Sequence, residues 1–110
     1  MRISGGQLKG RRINSPGSGP GIRPTTERVK LAMFAVIGEQ SIKDKKVLDL
    51  FSCTGALGFE AISRGAVSGV FVEKNYRNCK LIKSNSYNLG ISEVIEVKTQ
   101  DCYKFLKSIN

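Results

Sequence analysis

From residue 46 onward the chain alternates between two hydrophobic periods. Short apolar runs at 47–51 (VLDLF), 69–74 (GVFVEK) and 94–97 (VIEV) have the length of buried strands. Each is followed by a stretch whose apolar positions recur three and four residues apart, the spacing of a helix with one buried face. The first such stretch runs to about Arg64 and closes on Gly65. The second, about 75–89, sets Cys79, Ile82, Ser86 and Leu89 on one face and ends at Gly90, and a shorter one starts near Asp101. Strands separated by helices of this length predict right-handed βαβ units in a parallel sheet, so the expected fold class is α/β.

Upstream the pattern is less regular. Residues 1–14 read as two short strands around Gly5-Gly6, a hairpin with basic side chains. Residues 15–24 hold all three prolines together with Gly17, Gly19 and Gly21, which makes a loop. Thr25 or Thr26 then caps a helix with Glu27 in its first turn, where the dipole favours an acid. Val29, Ala32, Met33, Val36 and Ile37 form an apolar stripe that ends at Gly38, with Arg28 and Lys30 expected off it, on faces open to solvent or a partner. The expected division is a basic hairpin and loop at 1–24, followed at 25–110 by the helix and the strand–helix domain.

Length and composition bound the function. At 110 residues, 40% apolar and 25% charged, the chain is enough for one small globular domain. No apolar run reaches the roughly 18 residues of a membrane span, and no apolar core follows Arg2 as in a secretory signal. Three widely spaced cysteines, no C-x-x-C and no histidine argue against a zinc site or a disulfide framework and exclude histidine acid–base chemistry. Reduced thiols in a cytoplasm, with no metal and no membrane partner, are the expectation. The net charge of +9 is uneven: residues 1–30 carry seven bases against one acid, a net of +6, and the other eighty carry eleven against eight. A basic block of this kind points to a polyanionic partner, most often nucleic acid.

Candidate chemistry gathers at 47–65, VLDLFSCTGALGFEAISRG, where a strand enters a helix through a turn of small residues. Helix-terminal N–H groups and glycines of close approach make such a turn a cofactor site. A dinucleotide fingerprint would need glycine at 53, 55 and 58, and Cys53 breaks it; Asp49 also stands where that motif has an apolar residue. An acid within the strand suits a ligand carrying an ammonium group, hydroxyls and an adenine, which favours S-adenosylmethionine and leaves NAD as the alternative. Glu73 ends the second strand, where a carboxylate can accept ribose hydroxyls, and Asp101 follows the third. The bland alternative for Asp101 is a cap on its own helix.

The segments MRISGGQLKGRR, RPTTERVKLAMF, VLDLFSCTGALGFEAISRGA and VFVEK, in that order, resemble the RsmD family of bacterial methyltransferases. Such enzymes move a methyl group from S-adenosylmethionine to N2 of a guanine in small-subunit (16S) ribosomal RNA. The resemblance implies a Rossmann-like class I methyltransferase fold, here strands three, two and one, with a basic N-terminal hairpin and helix. It implies that Asp49 and the turn Ser52, Cys53, Thr54, Gly55 and Gly58 hold the cofactor's amino-acid end, Glu73 with Lys74 its ribose, and Asp101 with Cys102 its adenine. Arg2, Lys9, Arg11, Arg12, Arg23, Arg28 and Lys30 are implied to meet RNA of the small ribosomal subunit.

Two departures stand out. Cys53 occupies a position where the family usually has glycine, which costs about a kcal/mol or more if φ there is positive. The family's catalytic Asp or Asn followed by Pro-Pro and an aromatic is missing, since the last proline is Pro24. The expectation is a truncated, inactive cofactor-binding portion, with a non-catalytic RNA-binding module as the alternative.

Overall fold

The computed structural model describes residues 1–15, 27–50 and 52–109. Three strands, β1 (Lys46–Leu50), β2 (Ser68–Glu73) and β3 (Ile95–Thr99), form one parallel sheet in the order β1-β2-β3, with Asp49 opposite Phe71 and Glu73 opposite Thr99. The helices are α1 (Glu27–Ile37), α2 (Glu39–Ile42), α3 (Ala56–Ser63), α4 (Tyr76–Asn88) and α5 (Cys102–Ser108), with a 3-10 turn at Ser92–Val94 before β3. The strand and helix alternation read from the sequence is present throughout this part. α2 is an addition, a single turn too short to leave a periodic signature.

The alternating side chains of β2 feed both faces of the sheet. Phe71 packs against Phe59 of α3, ring centroids 5.0 Å apart, in a core that also takes Ile82, Leu89 and, from the N-terminal arm, Ile3 and Ile13. Val72 faces the other way, onto Cys102 and Phe105 of α5. The predicted stripe Cys79, Ile82, Ser86 and Leu89 is buried. α4 is punctuated at both ends: Asn75 caps it by accepting from Asn78 N–H, and Gly90 beyond its end has φ 74°.

Two expectations about the N-terminal third are corrected. Residues 1–14 do not make two strands; a single antiparallel bridge joins Arg2 to Arg12, and residues 5–10 form turns. The two limbs still pair, through Ile3 N–H to the Arg11 carbonyl, Gly10 N–H to the Ile3 carbonyl and Ile13 N–H to the Met1 carbonyl, and the arm docks onto α3 and α4. Gln7 N–H donates to the Ser63 carbonyl, Leu8 N–H to Ser63 Oγ, and Asn14 exchanges two hydrogen bonds with the Asn85 amide. The stripe on α1 is also not the buried face: Val36 is 88% exposed, while Lys30 and Phe34 point inward. Phe34 packs with Ile42, Ala61 and Ala66, and Lys30 reaches a buried acid on α3, so an ion pair sets the helix's rotation. The Thr25 or Thr26 cap and the 15–24 loop beyond Ser15 lie outside the described residues.

Candidate functional site

Asp49, Glu73 and Asp101 stand at or near the carboxyl ends of the three strands. Asp49 is fixed in β1, and its Oδ2 accepts from Gly58 N–H of α3 at 3.1 Å. Gly58 has to be glycine for this contact: a Cβ there would lie 2.5 Å from the buried Phe71 ring and 3.2 Å from Asp49 Oδ2. Ahead of it, Ser52 N–H extends the ladder to the Val72 carbonyl, Ser52 Oγ donates to the Asp49 carbonyl, and Gly55 turns into the helix at φ 81°. Thr54 is buried, with Oγ1 accepting from Ala56 N–H. Cys53 has φ 52°, the left-handed region in which glycine is favoured.

Glu73 at the end of β2 ties the turn to the next crossover. Its Oε1 accepts from Cys53 N–H at 2.8 Å and its Oε2 from Asn75 N–H at 2.9 Å. Both Asp49 and Glu73 are buried. Burial, reinforced by the negative charge of Glu73 and opposed by Gly58 N–H, pushes the Asp49 carboxyl up to about 6. Burial, again with Glu73 adding, raises the Cys53 thiol as well. Two buried carboxylates beside a turn make a strongly electronegative cradle, and such a cradle selects a cation.

Glu73, Lys74, Asp101 and Cys102 line one small cavity of about 190 Å³ between β2 and β3. Asp101 does cap α5, its Oδ2 accepting from Tyr103 and Lys104 N–H, so the bland alternative for this residue is realised. Asp49 and Gly58 border a different hollow of about 550 Å³ along the open edge of β1. A larger cavity, about 650 Å³, lies at the far end of α3 between Gln7, Lys43 and Arg64 and holds none of the expected residues.

Among the expected RNA contacts, Arg2, Lys9, Arg11, Arg12 and Arg28 are exposed, and Arg23 lies outside the described residues. Lys30 is corrected: it is 1% exposed, with Nζ 3.2 Å from Glu60, 3.1 Å from Glu27 and 2.9 Å from the Arg2 carbonyl. No RNA phosphate can reach it in this arrangement. Glu60, wholly buried, also accepts from Ser4 N–H, Gly5 N–H and Arg64 Nε, and Ser4 Oγ donates to Glu27. Sequence reasoning missed this clasp. The available signal was an acid on the inner face of an otherwise apolar helix, where only a paired charge is tolerated.

Comparison with known proteins supplies a lineage. The family model described as conserved hypothetical protein 95 matches residues 1–110. A Haemophilus influenzae protein named ribosomal RNA small subunit methyltransferase D is 37% identical over 108 residues, covering 97% of this chain and 55% of its own length. The structure of Escherichia coli yhhF superposes with a TM-score of 0.85 at 32% identity, over 96% of this chain and 55% of that one. An RNA methyltransferase of Salinibacter ruber, solved with S-adenosyl-L-homocysteine, shares the fold at 22% identity and TM-score 0.62, over 74% of this chain and 52% of that one. The chain spans about half the length of the relatives it matches.

Proposed function

Because the chain belongs to the conserved hypothetical protein 95 family, the RsmD family, we propose that it serves methyl transfer from S-adenosylmethionine to N2 of a guanine in small-subunit ribosomal RNA. Residues 25–110 hold the cofactor, and the arm and loop at 1–24 face the RNA. One observation carries the cofactor reading. The turn's N–H groups at Cys53 and Gly58 are already given to the carboxylates of Glu73 and Asp49. In a dinucleotide site such donors face a pyrophosphate; here they hold two acids in place, which disfavours an anionic NAD and suits a ligand bearing a sulfonium and an ammonium.

The residues supply complementary groups for that ligand. Asp49 takes the ammonium end, and each Glu73 oxygen keeps a lone pair for a ribose hydroxyl. Asp101 Oδ1 and Cys102 N–H meet the adenine edge, with Lys74 over the rim. When bound, the cofactor supplies an activated methyl on sulfur. The 110 residues hold no Pro-Pro-aromatic segment to orient a guanine amino group, so methyl transfer is not expected from them alone.

Titration calorimetry with S-adenosylhomocysteine tests the reading. Binding is expected at neutral pH, weakening as pH falls through about 6 and Asp49 takes up its proton; Asp49→Asn lowers affinity at least tenfold. NADH binding with no response to S-adenosylhomocysteine would overturn it. In parallel, radiolabel from the methyl donor is expected to stay out of ribosomal RNA. A non-catalytic RNA-binding role is the second reading, favoured by the exposed bases of the arm.

A further inference from the structure

We propose that the outer face of α4 is a second track for the phosphate backbone of RNA, continuous with the N-terminal arm; this rests on the ribosomal-RNA reading above. α4 carries Arg77, Lys80 and Lys83, all exposed, and no acid. At about 100° per residue, Tyr76, Lys80, Lys83 and Tyr87 fall within one narrow stripe, with Arg77 beside it. Tyr76 and Tyr87 are 68% and 79% exposed, and Lys80 Nζ lies 5.7 Å from the Tyr76 ring. The stripe thus interleaves cations with flat aromatic faces, the composition of a surface that tracks a nucleic-acid strand.

No carboxylate among the described residues pairs with this charge. Among the described residues the ion pairs are Lys30 with Glu27 and Glu60, Arg64 with Glu60, and Lys98 with Glu96; none involves α4. A solvated helix face ordinarily spaces acids and bases three or four apart, whereas here Arg77, Lys80 and Lys83 repel one another at that spacing. The N-terminal arm does not compensate. Asn14 is bonded to Asn85 and Arg11 Nη2 donates to the Asn88 carbonyl at 2.7 Å, so the arm lies along the flank of α4. Residues 1–14 contain no acid either. Asn88 lies on the same flank of α4 as Arg77, so the arm and the stripe are adjacent cationic surfaces, with α4 starting beside Glu73 at the cofactor end.

The test is filter binding of a small-subunit ribosomal RNA transcript from about 50 to about 200 mM salt. The triple variant R77Q/K80Q/K83Q should weaken binding at least tenfold at low salt and flatten the salt dependence by roughly two to three in log–log slope. Its circular dichroism and S-adenosylhomocysteine binding should match the parent, since the three side chains contact neither core nor site. If R11Q/R12Q weakens binding and the triple variant does not, the α4 track is overturned while the RNA reading stands. If the parent chain retains no RNA, both fall. Binding of phosphatidylcholine–phosphatidylglycerol vesicles, lost in the triple variant with RNA binding intact, would overturn the proposal in favour of a membrane surface.

Discussion

Cys53 sits at φ 52°, where an L side chain crowds the following carbonyl at a cost of roughly 1–2 kcal/mol. Glycine would remove that strain and give back part of it through its freer unfolded chain. Cys53→Gly is therefore expected to raise the unfolding free energy by about 1 kcal/mol, read as a higher urea midpoint at unchanged slope. Cys53→Ala keeps the Cβ and should gain nothing; equal gains from both would place the cost in the thiol instead. Asp49 likewise costs stability at neutral pH. With its folded pKa raised to about 6, the native state holds a proton the unfolded chain has released, so stability falls as pH climbs from about 4 to about 6. In the proposed cofactor site, a bound cation would relieve that penalty.

At the scale of elements, the clasp between α1, α3 and the arm turns on Glu60. Burial alone would raise its carboxyl, yet Ser4 N–H, Arg64 and Lys30 together hold it below the ordinary value. Such a group stabilises the fold above its unfolded pKa, and the contribution is lost as pH falls through the folded one. Glu60→Gln leaves Lys30 buried with half its counter-charge and should cost about 3 kcal/mol near neutrality, less in acid, by urea unfolding across pH. A cost that does not vary with pH would assign the loss to packing. The strands, the helices α3 to α5 and their parallel order were legible because period and length encode them locally. The face that α1 buries was not. Its rotation is set by Glu60, thirty positions beyond Lys30, and the apolar stripe pointed the other way. The places of Asp49 within β1, Glu73 at the end of β2 and Asp101 after β3 were legible for the same local reason, while the bonds to Cys53 and Gly58 N–H depend on turn geometry that sequence leaves open.

For the whole molecule, the sheet is built outward from β2, with β1 forming one edge of the described strands and Leu48 45% exposed there. No helix among the described residues is long and apolar enough to cross a membrane. The arm is the outermost layer on the α3 and α4 face, and its anchors are remote: its bonds to Glu60, Ser63, Asn85 and Asn88 span 55 to 77 positions. Contacts that distant repay loop closure late, so the arm docks after the sheet and α4 have formed and opens before they do. Hydrogen exchange should show Ile3, Gln7 and Ile13 amides less protected than those of β2, and equal protection would make the arm part of the cooperative nucleus. During synthesis this gives an inverted schedule. Ser4 leaves the ribosome well before its buried partner Glu60, and Asn14 stays unpaired until Asn85 emerges, so the basic arm travels undocked until α4 has been made.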